Sequence, residues 1–78
     1  MMVEKTKKYI DACNLECPLP LLKTKLAFSV LTSGDIVEVV ATDPTSWNDF
    51  ASYARISGNK LLRAEKKKYK YTYTLQKR

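Results

Sequence analysis

The chain has 78 residues, with 14 Lys or Arg against 8 Asp or Glu, a net charge of +6, two cysteines and no histidine. A chain of this size buries on the order of 60% of its unfolded surface, which suffices for one domain with little core to spare. The lack of histidine excludes Cys–His catalysis of the protease type, and C-x-x-x-C is not a usual zinc spacing, so neither a metal nor a cofactor is expected.

Residues 1–78 therefore read as a single domain, with Met1 to about Lys7 a frayed arm. No segment is long and apolar enough to cross a membrane, and Met1-Met2-Val3-Glu4-Lys5 has no apolar signal region, so a cytoplasmic protein is expected. A first strand runs from about Lys8 to Ala12. Asn14-Leu15-Glu16 forms the following loop, where Asn14 suits a sharp bend because asparagine tolerates the left-handed region.

Cys17-Pro18-Leu19-Pro20 then opens an apolar segment. Pro18 fits the first helical position, where the missing N–H has no partner anyway, and Pro20 still falls in the first turn. Pro18 also pushes Cys17 into the extended region typical of an N-cap. The sulfur is thus expected at the positive end of a helix dipole, with a moderately lowered pKa. The lowering is moderate because Pro18 and Pro20 carry no N–H, which leaves Leu19 and Leu21 as the only amides able to donate to sulfur. The competing reading is a buried cysteine beside prolines that merely punctuate a helix start.

The first helix is predicted from Pro18 to about Thr32, stopped at Ser33-Gly34. Leu21, Thr24, Ala27, Phe28 and Leu31 share one side; Leu19, Leu22, Leu26 and Val30 share another. A helix on a sheet buries one face, and the small Thr24 and Ala27 allow close approach, so the first stripe is assigned to the core. The second stripe, starting beside Cys17 and flanked by Lys23 and Lys25, is then a candidate partner surface through Leu19, Leu22, Lys23 and Leu26. Its alternative is a wider buried arc.

Asp35 to Thr42 is dense in β-branched residues and reads as the second strand. Asp43-Pro44 repeats the earlier logic, with Asp43 as N-cap and Pro44 as the first residue of a helix to about Ser57. Phe50, Tyr53 and Ala54 point inward in that helix, with Trp47 a further candidate. Leu61 to about Lys66 is the third strand and Lys66-Lys67-Lys68 the hairpin turn. In the fourth strand Tyr69, Tyr71, Tyr73 and Leu75 form the buried face and alternate with Lys70, Thr72, Thr74 and Gln76. The order strand, helix, strand, helix, strand, strand, with right-handed crossovers, puts both helices on one face of a four-stranded sheet. The first two strands are parallel, so Cys17 should lie near Asp43-Pro44 at the edge where such sheets place their sites.

Six basic residues, Lys66, Lys67, Lys68, Lys70, Lys77 and Arg78, fall in the tail. They read either as a solvated strand surface or as an electrostatic surface for RNA or an acidic protein. Cys13 reads as a small hydrophobe near a strand end; pairing with Cys17 in a redox disulfide is the alternative.

Asp11, Leu15-Glu16-Cys17-Pro18-Leu19-Pro20, Gly34-Asp35, Ala41-Thr42-Asp43-Pro44, Asp49-Phe50 and Ser57-Gly58 together resemble the TusA-like (SirA-like) sulfur carriers from Tyr9 onward. The resemblance implies an α/β (α+β) two-layer sandwich with a mixed four-stranded sheet and two helices on one face. It implies a sulfurtransferase in which Cys17 carries sulfur as a persulfide. The donor would be a cysteine desulfurase or a rhodanese-like protein and the acceptor another protein thiol, in tRNA thiolation, sulfur oxidation or molybdenum cofactor synthesis. Pro18, Pro20, Asp11, Asp43 and Pro44 are the supporting motif residues, with the two aspartates holding loops rather than moving protons. A monomer is expected. The alternative is a basic RNA-binding or regulatory module without sulfur chemistry. Asn14 stands where many relatives carry glycine, Cys13 lies outside the motif, and the lysine-rich turn replaces acidic residues or glycine.

Overall fold

The computed structural model describes residues 7–78. The element order is β1 (Lys7–Ala12), α1 (Leu19–Phe28), β2 (Ile36–Ala41), α2 (Ser46–Ser57), β3 (Lys60–Lys67) and β4 (Lys70–Gln76). This is the expected α+β sandwich. The expected arm lies outside the described residues apart from Lys7, which belongs to β1.

The sheet order is β1-β2-β4-β3. β1 and β2 run parallel, with Ala12 against Ala41 at their C-terminal ends. β4 is antiparallel to both β2 and β3, so the sheet is mixed. Strand β2 reads Ile-Val-Glu-Val-Val-Ala and buries every second residue: Val37, Val39 and Ala41. Its neighbour β4 does the same with Tyr71, Tyr73 and Leu75. This period of two gives the sheet one face under the helices and one face in water. The edge strand β3 is mostly exposed and carries Lys60, Arg63, Lys66 and Lys67, charges that discourage pairing of a free edge with another chain.

The helices close the core. From α1, Thr24, Ala27 and Phe28 are buried, while Leu21 and, past the end of the helix, Leu31 pack at the margin of the core. The buried Thr24 hydroxyl is satisfied by the Pro20 carbonyl at 2.9 Å, a back-bond to the preceding turn. From α2, Phe50 is fully buried and stacks on Tyr73 with ring centroids 4.3 Å apart. The hydroxyls of Tyr73 and Ser46 pair at 2.7 Å, so the buried phenol keeps a partner. Trp47 is half in and half out, tilted against Tyr71 and Tyr73.

Three boundaries depart from the sequence expectation. Helix α1 ends at Phe28 rather than near Thr32. The Ser29 hydroxyl donates to the Leu26 carbonyl at 2.6 Å, and the Asp35 carboxylate accepts the Thr32 amide at 2.9 Å. These side chains offer the backbone partners other than the helix, and the chain unwinds a turn before Gly34. Second, α2 begins at Ser46, with Pro44 and Thr45 in a turn that precedes it. Asp43 still does a cap's work there, accepting the Thr45 amide at 3.0 Å. Third, the β3–β4 turn is Lys68-Tyr69, not Lys66-Lys67-Lys68, since Lys67 pairs with Lys70. Lys68 takes the positive φ, 55°, that a tight hairpin needs, and Tyr69 leaves the buried face for solvent.

Candidate functional site

The two parallel strands deliver two loops to one end of the sheet. After β1, the Asp11 carboxylate accepts the Cys13 amide at 3.0 Å. Asn14 adopts φ 65°, as its position in the bend predicts, and donates its amide to the Thr42 hydroxyl at 2.8 Å. After β2, Asp43 accepts on both oxygens: Oδ1 takes the Thr45 amide and hydroxyl, and Oδ2 takes the Cys17 amide at 2.5 Å. One carboxylate therefore ties the cysteine loop to the approach of α2. These bonds to N–H groups hold Asp43 below the usual carboxylate range, led by Thr45 and then Cys17; Asp11 is lowered likewise by Cys13.

Cys17 is exposed. Its thiol donates to Asp49 Oδ2 at 2.8 Å. Asn14 to Cys17 and Thr42 to Thr45 line an open groove of about 520 Å³ at this point. Pro18 and Pro20 start α1 beneath it, Pro20 buried and Pro18 exposed, and the Cys17–Pro18 peptide is cis.

The electrostatics reverse the expectation drawn from the helix dipole. Pro18, not Cys17, occupies the N-cap position of α1. The Leu19 amide is spent on the Glu16 carbonyl at 2.8 Å rather than on sulfur. Against a remaining dipole of about half a charge stands the hydrogen bond to the Asp49 side chain in direct contact. The Cys17 pKa is accordingly raised, first by the Asp49 hydrogen bond and then by desolvation, while the Thr45 hydroxyl pulls it down. Cys17 at rest is held as a thiol.

Asp49 is the residue that sequence reasoning passed over, having noted it only within the family pattern. A signal was present. Side chains in a helix lean toward its N-terminus, and the start of α2 faces the loop that carries Cys17, so an acid in the first turn reaches back to the junction.

The remaining candidates spread along α1. Leu19, Leu22 and Leu26 are 46%, 46% and 71% exposed, respectively, on the side opposite the core stripe. Lys23 crosses to β1 and donates to the Asp11 carbonyl at 3.1 Å. Leu26 and Val30 border a second groove, of about 440 Å³, against Tyr9 and Ile10. Cys13 is half-buried and unpaired, its thiol pushed up by burial and by Asp11. Among the described residues no cluster of three or more His, Cys, Asp or Glu side chains suits a metal, and no helix is long and apolar enough to cross a membrane.

Comparison with known proteins gives a consistent family. A family model described as Sulfurtransferase TusA matches residues 8–77. The sulfur carrier protein TusA of Allochromatium vinosum is 37% identical over 68 residues, 87% of this chain and 90% of its own. YrkI of Bacillus subtilis is 43% identical over 58 residues, 74% of this chain and 77% of its own. TusA of Pseudomonas putida is 29% identical over 69 residues, 88% of this chain and 86% of its own.

Proposed function

Because the chain belongs to the TusA sulfurtransferase family, we propose that it is a sulfur carrier that holds sulfane sulfur as a persulfide on Cys17 and relays it to a protein thiol. The observation that carries this reading is the exposed Cys17 thiol in an open groove, its amide fixed by Asp43 and its sulfur in contact with Asp49.

The chemistry is thiol–persulfide exchange. Cys17 loses its proton, and the thiolate attacks the terminal sulfur of a donor persulfide. The sulfur–sulfur bond of the donor breaks as the new bond to Cys17 forms, and the donor leaves as a thiolate. An acceptor thiolate then attacks the terminal sulfur on Cys17 and releases the Cys17 thiolate. No external oxidant or reductant is consumed. Asp11 and Asp43 hold the loops, and Pro18, Pro20 and Pro44 shape the two helix approaches.

The donor is a cysteine desulfurase or a rhodanese-like protein and the acceptor a thiol protein, in tRNA thiolation or another sulfur-trafficking route. A carrier that meets both in turn works as a monomer in the reducing cytoplasm. Exposed Leu19, Leu22 and Leu26 beside Lys23 supply a modest docking strip.

Mass spectrometry after incubation with polysulfide, or with a desulfurase and cysteine, tests the assignment. One added sulfur is expected on the native chain and on Cys13→Ser, and none on Cys17→Ser. An adduct that persists in Cys17→Ser and disappears in Cys13→Ser overturns it.

A further inference from the structure

The β3–β4 hairpin ends at the same edge of the sheet as Cys17. Across the ladder, Ala12 lies against Ala41, Ala41 against Tyr71, and Tyr71 against Lys66. The row that closes β1 and β2, just before the two loops of the reactive site, thus continues into the end of the hairpin. Lys67, Lys68, Tyr69 and Lys70 extend past it.

The tip has features that the fold does not require. Tyr69 is 83% exposed at a turn where glycine or asparagine would serve. Lys66, Lys67, Lys68 and Lys70 are all exposed, and neither ion pair among the described residues, Lys7–Glu38 or Arg63–Glu65, involves them. Lysines on β3 protect a free edge, but Lys68 sits in the turn and Lys70 on the inner strand β4, where no edge needs protection. Like charges this close repel one another. Of the acids at the reactive end, Asp11 attracts Lys70 across the sheet edge, but it forms no ion pair with it.

We propose that this tip is a docking arm for an acidic protein surface surrounding the partner's reacting sulfur. The inference rests on the carrier reading above. A protein that brings its sulfur to Cys17 must approach the edge from which the hairpin projects, so lysines there steer the encounter and set which partners fit. Tyr69 supplies the aromatic contact common at the centre of such interfaces. A single-stranded nucleic acid would want a stacking platform. Here Tyr71 and Tyr73 are buried at 6% and 0% exposure, which leaves one ring.

The test uses peptides that carry one cysteine as a mixed disulfide with 2-nitro-5-thiobenzoate, flanked by glutamates or by glutamines. The Cys17 thiolate attacks the peptide sulfur, a Cys17–peptide disulfide forms, and the coloured thiolate leaves. For the native chain the acidic probe should react about 10-fold faster than the neutral one near 0.02 M salt, with the ratio approaching one near 0.5 M. Lys67→Gln, Lys68→Asn and Lys70→Gln together should bring the low-salt ratio close to one. A control that removes as much charge elsewhere, Arg55→Gln with Lys60→Gln and Arg63→Gln, should keep most of it. Equal ratios in the two triple variants, or no preference in the native chain, overturn the proposal. So does a gel-mobility shift with single-stranded RNA that the hairpin variant loses while the peptide ratio is already one. Failure of Cys17 to take up sulfur from polysulfide would instead strike the carrier reading, and it is read separately by mass.

Discussion

At the scale of single residues the contact that matters most is Asp49 against Cys17, 2.8 Å apart. A carboxylate there stabilises the protonated thiol and opposes the thiolate, the form that attacks disulfides and oxidants. Asp49→Asn removes the charge and keeps a hydrogen-bonding side chain. Its pH–rate profile for alkylation by iodoacetamide should shift to lower pH, with faster reaction at neutral pH. An unmoved or raised midpoint would show that Asp49 does not govern the thiol. The Cys-Pro-x-Pro run singles out Cys17 as the candidate reactive residue, but the sign of its pKa shift is not legible there. That sign depends on a carboxylate 32 positions away in sequence, which only tertiary structure brings to the sulfur.

At the scale of elements, α1 shows what periodicity resolves and what it leaves open. Two apolar stripes compete on this helix, and the small Thr24 and Ala27 pointed to the buried one, as found. The end of the helix was misplaced because Ser29 and Asp35 capture backbone groups by geometry that a pattern of apolar residues does not encode. The hairpin failed for a similar reason. The alternation predicted for β4 extends one residue too far, to Tyr69, which the two-residue turn sends outward. The exposed stripe gives a direct prediction. Leu26→Asp, at a position 71% exposed, should change stability by no more than about 0.5 kcal/mol. It should slow sulfur transfer from a cysteine desulfurase several-fold while leaving loading by polysulfide at the native rate. Loss of the folded circular dichroism spectrum would mean that Leu26 belongs to the core. Native rates with both donors would remove the strip from the docking surface.

At the scale of the whole molecule, the topology was legible because helix and strand signals alternate cleanly and right-handed crossovers leave few arrangements. Parallel β1 and β2 then had to bring Cys17 beside Asp43, and they do, at 2.5 Å. The same junction couples stability to pH. Asp11 and Asp43 have pKa values lowered in the fold by hydrogen bonds from backbone amides. A lowered carboxyl contributes stability above its unfolded pKa, about 4, and loses it as pH falls through the folded value. Cys13, Cys17 and Tyr73 are raised, so their contributions hold below the unfolded values, about 8.5 for cysteine and 10 for tyrosine, and fade as pH climbs through the folded ones. The melting temperature should therefore peak on a plateau between about pH 5 and 8 and fall on both sides. Asp43→Asn cannot titrate, so it should lower the plateau and flatten the acid limb, because the native chain loses below about pH 4 what the variant never had. Thermal unfolding followed by circular dichroism from acid to alkaline pH measures both. An acid limb equally steep in Asp43→Asn would place the pH-sensitive anchor of the fold elsewhere than at the bridge between the cysteine loop and α2.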